Sequence, residues 1–306
     1  MSYSRLDMGR LGLAVAVALT FGTSAVVWAT TKGPDASGYS GTDATTFSFV
    51  DISSGGTSVL AGADDSAALL ALPFQFRFYG QPYGLVCVSS NGALYFVASA
   101  NACAVVSESD FANTDLSGVV PTGDRPALLP FWSDLTFEVP GSGSVFYQVV
   151  GAPGSRRMIV QWNNAFPQGS PNPVTFQVIL SESNNSALFQ YKTVSLGAAN
   201  PASNGGQATI GIRNTGAPAN QQLVAWSFGA KVLANDSALL FTFNVAGDVN
   251  SDGVVSCADV NAVRAAIGRR RGLAGYTAAA DLNSDGIINV LDLTLVTRRL
   301  PAGTSC

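Results

Sequence analysis

The chain of 306 residues contains no histidine and only three glutamates, Glu108, Glu138 and Glu182. The lack of histidine excludes Ser-His-Asp and Cys-His catalysis, the usual zinc ligand sets and the commonest general base at neutral pH. Catalysis would have to depend on aspartate, tyrosine, serine or lysine. The residue inventory therefore favours a non-catalytic protein, with a glycoside hydrolase-associated enzyme as the alternative.

Charge is also scarce. Charged residues make up 12% of the chain and leave a formal net charge of −4. No strong field exists to attract phosphates or anionic lipids over a distance, which argues against nucleic acid as a partner. The hydrophobic fraction of 47% is enough for a sizeable core, and the length favours two domains.

The first 29 residues have the pattern of a secretory signal peptide. Arg5 and Arg10 precede an apolar run at 11–19, and Val27 and Ala29 are small enough for the −3 and −1 positions of a cleavage site. The run is interrupted before it reaches the roughly 20 apolar residues that a membrane-spanning helix needs. We expect a secreted protein that is free of the membrane after cleavage; an uncleaved anchor is the alternative.

Four cysteines remain after this segment. An even number in an exported chain is most simply two disulfides. Proximity along the chain pairs Cys87 with Cys103, and Cys257 with Cys306. The first bond would close a short loop between neighbouring strands.

The middle of the chain reads as β structure. Residues 30–45 are small, polar and glycine-rich, which predicts a flexible linker. Between residues 46 and 244, short segments alternate apolar and polar residues and are separated by turns. With no convincing helix among them, they predict a mainly β fold, an antiparallel β-sandwich. The predicted strands are 47–52, 74–79, 85–88, 93–97, 145–149, 157–162, 174–180, 187–191, 208–212 and 239–243.

The alternation assigns side chains to two faces of these strands. Phenylalanines are expected to fill the space between the sheets. Trp132 and Trp162 are expected in the core, against the alternative of exposed platforms for sugar stacking. The polar members are expected to face water: Gln75, Arg77, Gln177 and Gln190.

Two groups of acidic residues in this region are candidates for the paired carboxylates of glycoside hydrolysis. They are Asp64 with Asp65, and Asp134 with Glu138. Asp134 lies in a Pro/Trp/Ser turn context, where a hydrogen bond to the backbone is the ordinary role of aspartate. Sequence spacing does not establish the separation that catalysis needs, so no catalytic residue is assigned.

Several short sequence segments of the β region are similar to segments of a known domain family. They are LPFQFRFYG at 72–80, VSSNGAL at 88–94, LPFWSDL at 129–135, VQWNN at 160–164, TFQVIL at 175–180 and ATIGIR at 208–213. Together they resemble a β-rich domain of secreted bacterial proteins that is distantly similar to the nidogen-type extracellular domain. The resemblance covers residues 45–244 and implies an extracellular adhesive or structural module.

The composition changes after Phe243, and two segments repeat each other 33 residues apart. DVNSDGVVSCAD at 248–259 and DLNSDGIINVLD at 281–292 both read D-x-N-x-D-G-x-x-[S/N]-x-x-D. We call them loop one and loop two. In the twelve-residue calcium loop, positions 1, 3 and 5 supply side-chain oxygens and position 6 is a glycine for the turn. Position 7 offers its carbonyl, position 9 often acts through water and position 12 closes the shell.

This register predicts one Ca²⁺ ion in each loop, two in all. Hard oxygen ligands in this number suit Ca²⁺ better than Mg²⁺. Because three carboxylates in an empty loop repel one another, we expect the module to be largely unfolded without calcium. The predicted ligands are Asp248, Asn250, Asp252, the carbonyl of Val254, Ser256 and Asp259 in loop one, and Asp281, Asn283, Asp285, the carbonyl of Ile287, Asn289 and Asp292 in loop two.

A helix is predicted after each loop, at 260–270 and 293–300, from apolar residues at helical spacing. Residues 246–306 lack an entering helix before loop one, and each loop ends in aspartate rather than the glutamate of an EF-hand. In these respects they resemble the dockerin domain, a small α-helical, calcium-binding pair of loop–helix F-hand repeats. The resemblance implies antiparallel helices, which would bring Cys306 close to Cys257. It also implies docking to a cohesin-like domain and an association with polysaccharide breakdown.

The recognition positions depart from the dockerin pattern, in which loop positions 10 and 11 carry a Ser/Thr-type pair that contacts the cohesin. Here they are Cys257-Ala258 and Val290-Leu291. A disulfide would remove Cys257 from recognition, and Val290-Leu291 would be either a different recognition surface or core. The basic run at 269–271 is interpreted as a solvated helix end favoured by the helix dipole, with partner docking as the alternative.

Three functional hypotheses follow. The first, which we favour, is a secreted non-catalytic protein whose calcium module tethers an adhesive or structural β-domain to a cohesin-like domain or a cell-surface or matrix protein. The second is an enzyme subunit of a polysaccharide-degrading assembly. The third is a carbohydrate-binding module with a docking tail, whose ligand would be a polysaccharide. A row of exposed aromatic side chains on one sheet face would favour this hypothesis.

Overall fold

Fifteen strands and two α-helices lie in the ranges that the computed structural model describes, which are residues 29–103, 111–117, 125–243, 245–250 and 254–306. The predicted signal peptide, apart from Ala29, lies outside them. In chain order the strands are β1 Thr31–Lys32, β2 Tyr39–Thr42, β3 Thr57–Ser58, β4 Ala67–Phe78, β5 Gln81–Ser89, β6 Leu94–Val97, β7 Ala127–Trp132, β8 Leu135–Thr136, β9 Ser144–Val150, β10 Arg157–Pro167, β11 Val174–Ser181, β12 Ala187–Thr193, β13 Thr209–Arg213, β14 Leu223–Phe228 and β15 Ser237–Phe243. The helices are α1 Cys257–Ala266 and α2 Val290–Thr297.

The strands form two antiparallel sheets. Sheet one has the order β1-β2-β15-β12-β11-β10-β9-β3, with β8 also paired to β10. Sheet two has the order β14-β13-β7-β6-β5-β4. The main hydrophobic core lies between them and draws on both, so the prediction of a mainly β, two-sheet fold followed by a small helical module is confirmed.

Aromatic side chains dominate this core. Trp162 stacks on Phe176 with ring centroids 5.0 Å apart, and Phe131 stacks on Phe176 with centroids 5.3 Å apart. Trp132 is also fully buried, in a smaller cluster that contains Cys87. Both tryptophans are therefore core residues, as expected, and neither is a platform for sugars.

The prediction that Gln177 and Gln190 face water is wrong. Together with Gln161 they form a row across β10, β11 and β12 on the outer face of sheet one, and all three are fully buried. Residues 47–52 cover them. Gln75 and Arg77, on β4, are exposed as predicted.

Residues 47–52 are not a strand of either sheet, although their sequence alternates as a strand does. Gln190 accepts the N–H of Ser48 at 2.6 Å and donates to its carbonyl at 3.0 Å, and Gln161 accepts the N–H of Ile52 at 2.9 Å. Gln177 lies against the N–H and carbonyl of Val50 in the same way. The segment is thus paired with side-chain amides instead of strand backbone.

The prediction of a flexible linker at 30–45 is also wrong for much of its length. β2 pairs with β15 and buries Tyr39, whose hydroxyl accepts the N–H of Tyr79 at 3.1 Å. Gly41 permits this pairing, since a Cβ there would lie 2.6 Å from the ring of Phe241. The glycine-rich composition reflects close packing here, not flexibility.

Both helices begin earlier and end earlier than predicted. Ser256 and Asn289 are the N-caps, and each forms a capping box with the aspartate three residues on, Asp259 and Asp292. The caps are loop position 9 and the aspartates are position 12, so each helix begins inside its loop. None of the helices in the described ranges is long and apolar enough to span a membrane.

Candidate metal centre

Loop two is closed by two buried carboxylates that accept backbone N–H groups. Asp281, at position 1, accepts the N–H of Asp285 at 3.1 Å and that of Gly286 at 2.8 Å. Asp292, at position 12, accepts the N–H of Asn289 at 2.8 Å and that of Asn283 at 3.3 Å. These bonds tie both ends of the loop to its interior, although the carboxylates of Asp281, Asp285 and Asp292 do not all lie within 4.8 Å of one another.

Gly286 makes the turn of loop two. Its φ of +85° lies in the left-handed region that glycine adopts without steric cost. This is the role predicted for position 6.

Loop one is closed in the same way at position 12. Asp259, at position 12, is fully buried and accepts the N–H groups of Val249 at 2.8 Å, Asn250 at 3.1 Å and Ser256 at 2.8 Å. Asp248 is also buried. Residues 251–253, which include the predicted ligand Asp252, lie outside the described residues.

The donors fit a hard cation. Asp259 and Asp292 are fully buried, and Asp281 is 3% exposed. Buried carboxylates are costly unless a positive charge or hydrogen bonds compensate them. Asn289 donates its side-chain amide to the carbonyl of Ile287 at 3.2 Å, so positions 7 and 9 are in direct contact, while its Oδ1 accepts the N–H of Leu291 at 2.7 Å.

The carboxylate of Asp285 is hydrogen-bonded to two other residues of loop two. Its Oδ1 accepts the N–H of Ile287 at 2.8 Å, and its Oδ2 accepts the side-chain amide of Asn283 at 2.8 Å. The carboxylates of Asp281 and Asp292 thus bind backbone N–H groups of the loop, whereas the side chains of Asp285 and Asn283 are hydrogen-bonded to each other.

The two repeats are antiparallel. A disulfide joins Cys257, at the start of α1, to Cys306, beyond the end of α2, with Cα atoms 5.5 Å apart. At the other end, Gly268 donates its N–H to the carbonyl of Ile288 at 2.8 Å. A small core with Val260, Val263 and other apolar side chains lies between the helices.

The arginine run at 269–271 is not the end of α1, which stops at Ala266. Gly268 has a φ of +88°, and the chain then pairs with loop two. Ile288 donates to the carbonyl of Arg269 at 2.9 Å, and Arg271 donates to that of Gly286 at 2.9 Å. The run thus forms a short ladder against loop two rather than a solvated helix end.

Two side chains outside loop two contact Asp281, and the sequence predicts this role for neither of them. The hydroxyl of Tyr276 donates to its Oδ2 at 2.6 Å, and Nη2 of Arg271 lies 3.7 Å from the same oxygen. The Tyr276 hydrogen bond is the main cause that holds the pKa of Asp281 below its usual range, against the opposing effect of burial. A tyrosine five residues before the loop gives no recognisable signal in the sequence.

A second acidic group lies in the β-domain. Asp64, Asp65 and Asp134 place carboxylate oxygens within 4.8 Å of one another, the one such trio in the part of the chain that the structure describes. Asn91, from the turn between β5 and β6, donates to Asp65 at 2.9 Å and accepts the N–H of Leu135 at 2.7 Å. The chain thus brings Asp134 to the Asp64-Asp65 pair.

Burial raises the pKa of both Asp64 and Asp134, and neighbouring carboxylates raise it further. Asp65 and Glu138 add to the effect of burial on Asp64, while Asp65 and Asp64 add to it on Asp134. Oδ1 of Asp64 is buried and has no hydrogen-bond partner among the described residues. The trio is a source of electrostatic strain in the fold, and no catalytic role is assigned to it.

Comparison with known families decides the identity of both parts. Residues 38–235 match the family described as NIDO related. The chain belongs to the NIDO-related family. Residues 246–301 match the dockerin type I domain. No curated protein and no solved structure matches the chain.

The dockerin type I domain is a non-catalytic attachment module of a calcium-binding family, whose members generally bind cohesin domains and typically belong to extracellular proteins. In this NIDO-related chain, therefore, the resemblance to a nidogen-like domain followed by a dockerin is confirmed. Both disulfides are formed as predicted, Cys87 with Cys103 and Cys257 with Cys306.

The dockerin's loop positions 10 and 11 differ between the repeats. In the first, Cys257 is bonded to Cys306. In the second, the side chains of Val290 and Leu291 are exposed, with residue exposures of 65% and 57%. Of the two predicted alternatives for Val290-Leu291, core is thereby eliminated.

Proposed function

We propose that this NIDO-related protein is a secreted, non-catalytic attachment protein. Its dockerin binds two Ca²⁺ ions and, so loaded, tethers the β-sandwich to an extracellular partner that carries a cohesin domain. The observation that carries the proposal is the closure of both loops around fully buried position-12 aspartates, Asp259 and Asp292, each of which also caps a helix.

The residues proposed to hold the ions are those of the predicted register. When bound, each ion would neutralise the three carboxylates of its loop and so allow the loop to close without like-charge repulsion. The ligands are Asp248, Asn250, Asp252, the Val254 carbonyl, Ser256 and Asp259 in loop one, and Asp281, Asn283, Asp285, the Ile287 carbonyl, Asn289 and Asp292 in loop two.

The proposed docking face is the second repeat. Val290 and Leu291 are exposed at the positions through which dockerins contact cohesins, whereas the disulfide at Cys257 occupies the first repeat. The β-domain would then be the cargo presented outside the cell.

The alternative of a polysaccharide-degrading or carbohydrate-binding component rests on the association of dockerins with polysaccharide breakdown. The burial of Trp132 and Trp162 removes the two tryptophans that would have favoured sugar stacking. We therefore keep attachment as the proposed function.

Binding to a panel of purified cohesin domains, measured by biolayer interferometry in calcium and in EGTA, tests the proposal. We expect calcium-dependent binding that Leu291→Ser weakens and that Leu69→Ser, an exposed leucine on β4, leaves unchanged. Absence of binding to every cohesin by the calcium-loaded protein would refute attachment through a cohesin.

A further inference from the structure

Loop two has a pair of neighbours that act on one of its carboxylates from outside the loop. Tyr276 and Arg271 both lie in the segment between the repeats, and both approach Oδ2 of Asp281. Arg271 also donates its Nε to the Tyr276 hydroxyl at 3.4 Å, so the three side chains form one connected group.

Tyr276 is placed to orient the carboxylate. Its ring is partly buried against the module core, and its hydroxyl bonds Asp281 at 2.6 Å. Together with the N–H groups of Asp285 and Gly286, this hydrogen bond holds the Asp281 carboxylate in one orientation. Partners behind a first ligand commonly change metal affinity by about 10–100-fold.

Arg271 acts in the opposite sense. Its guanidinium lies 3.7 Å from Asp281, but its side chain is 65% exposed, so it is free to move toward solvent. A positive charge at this distance stabilises the carboxylate when no cation is present and opposes a cation that arrives. Its backbone is held independently by the hydrogen bond to Gly286.

The repeat itself provides a comparison. The positions that match Tyr276 and Arg271, five and ten residues before the first aspartate of loop one, are Phe243 and Ala238. Neither carries a hydroxyl or a guanidinium. The matching positions of loop one therefore do not carry this pair of side chains.

We propose that Tyr276 and Arg271 are positioning residues that tune the calcium affinity of loop two in opposite directions, Tyr276 raising it and Arg271 lowering it. This inference rests on the proposed calcium binding. Calcium occupancy of loop two, and with it the docking face on the second repeat, is then set by these two side chains.

The test is a CaCl₂ titration of the purified, EGTA-stripped protein, followed by calorimetry and by the backbone amide resonances of Gly253 and Gly286, which report the two loops separately. Tyr276→Phe, which keeps the ring, is expected to weaken loop two about tenfold and to leave loop one within twofold. Arg271→Gln is expected to tighten loop two about two- to fivefold, an effect that shrinks in high salt.

Arg270→Gln is the matched control, because it removes the same charge from an adjacent exposed residue. We expect it to change loop two less than Arg271→Gln does. The inference is overturned if Tyr276→Phe weakens both loops equally or prevents folding in saturating calcium, or if Arg271→Gln weakens loop two. Failure of the wild type to take up calcium at all would instead refute the proposed function.

Discussion

Among single residues, the buried glutamines on sheet one have the clearest consequence for stability. Gln190 holds both the N–H and the carbonyl of Ser48. Truncation of the Gln190 side chain would leave the backbone N–H and carbonyl of Ser48, in the segment at 47–52, without these hydrogen-bond partners. We expect Gln190→Ala to lower the free energy of unfolding of the β-domain by about 1–3 kcal/mol, as measured by urea denaturation followed through tryptophan fluorescence.

Gln75→Ala is the control for this change, because Gln75 is exposed on β4. A surface substitution of this kind is expected to change stability by less than about 0.5 kcal/mol. If both substitutions cost the same, the glutamine row does not attach the segment.

The acidic trio predicts a pH dependence. The pKa of Asp134 is raised by burial first and then by Asp65 and Asp64. A carboxyl whose pKa is raised on folding favours the folded state when protonated, and that benefit is lost as the pH rises through the raised value. Asp134→Asn is therefore expected to raise the Tm at neutral pH, and the gain should vanish below about pH 4.

Thermal scans between pH 3 and 8 in EDTA check this expectation. Glu182→Gln is a control of opposite sign, since the hydrogen bond from Arg156 lowers the pKa of Glu182 to about 2. It should lower the Tm at neutral pH, with the loss shrinking as the pH falls. A gain for Asp134→Asn that is independent of pH would show that charge is not the cause.

At the scale of elements, the C-terminal segment depends on its disulfide. Cys257–Cys306 closes 49 residues of separation and ties the end of the chain to the start of α1. Loss of a cross-link of this length costs up to about 4 kcal/mol through the entropy of the unfolded chain. We expect Cys257→Ala/Cys306→Ala to lower the stability of the helical module by that order, measured as helical circular dichroism against urea in saturating calcium.

The corresponding change in the β-domain, Cys87→Ala/Cys103→Ala, should leave the unfolding of the helices unaltered. An unchanged helical transition in the Cys257→Ala/Cys306→Ala variant would mean that loops one and two hold the module together without the disulfide.

The same elements show what the sequence could predict. Strands such as β4 and β11 alternate visibly, and the loops are marked by residue identity at fixed positions. Residues 47–52 alternate as well, yet their backbone partners are side-chain amides, which no local pattern reveals. The helices begin three residues early because position 9 of each loop also caps a helix. Tyr276 and the gathering of Asp134 with Asp64 depend on tertiary geometry alone.

For the whole molecule, the placement of the acidic residues in the C-terminal part has the largest consequence. Residues 246–306 contain six aspartates and six arginines, and every aspartate occupies position 1, 5 or 12 of a loop. All acidic side chains of the module therefore belong to the two loops. Three carboxylates in each loop repel one another without a cation, so calcium uptake and folding of the module should be coupled.

Calcium titration of the purified protein by calorimetry, with circular dichroism recorded in parallel, tests this coupling most directly. For the wild type we predict two ions per chain and a gain of helical signal from the EGTA-stripped state. Asp248→Ala and Asp281→Ala should each remove one ion, and the double variant both. Calcium uptake without a gain of helix, or no uptake by the wild type, would contradict the account of a calcium-folded attachment module.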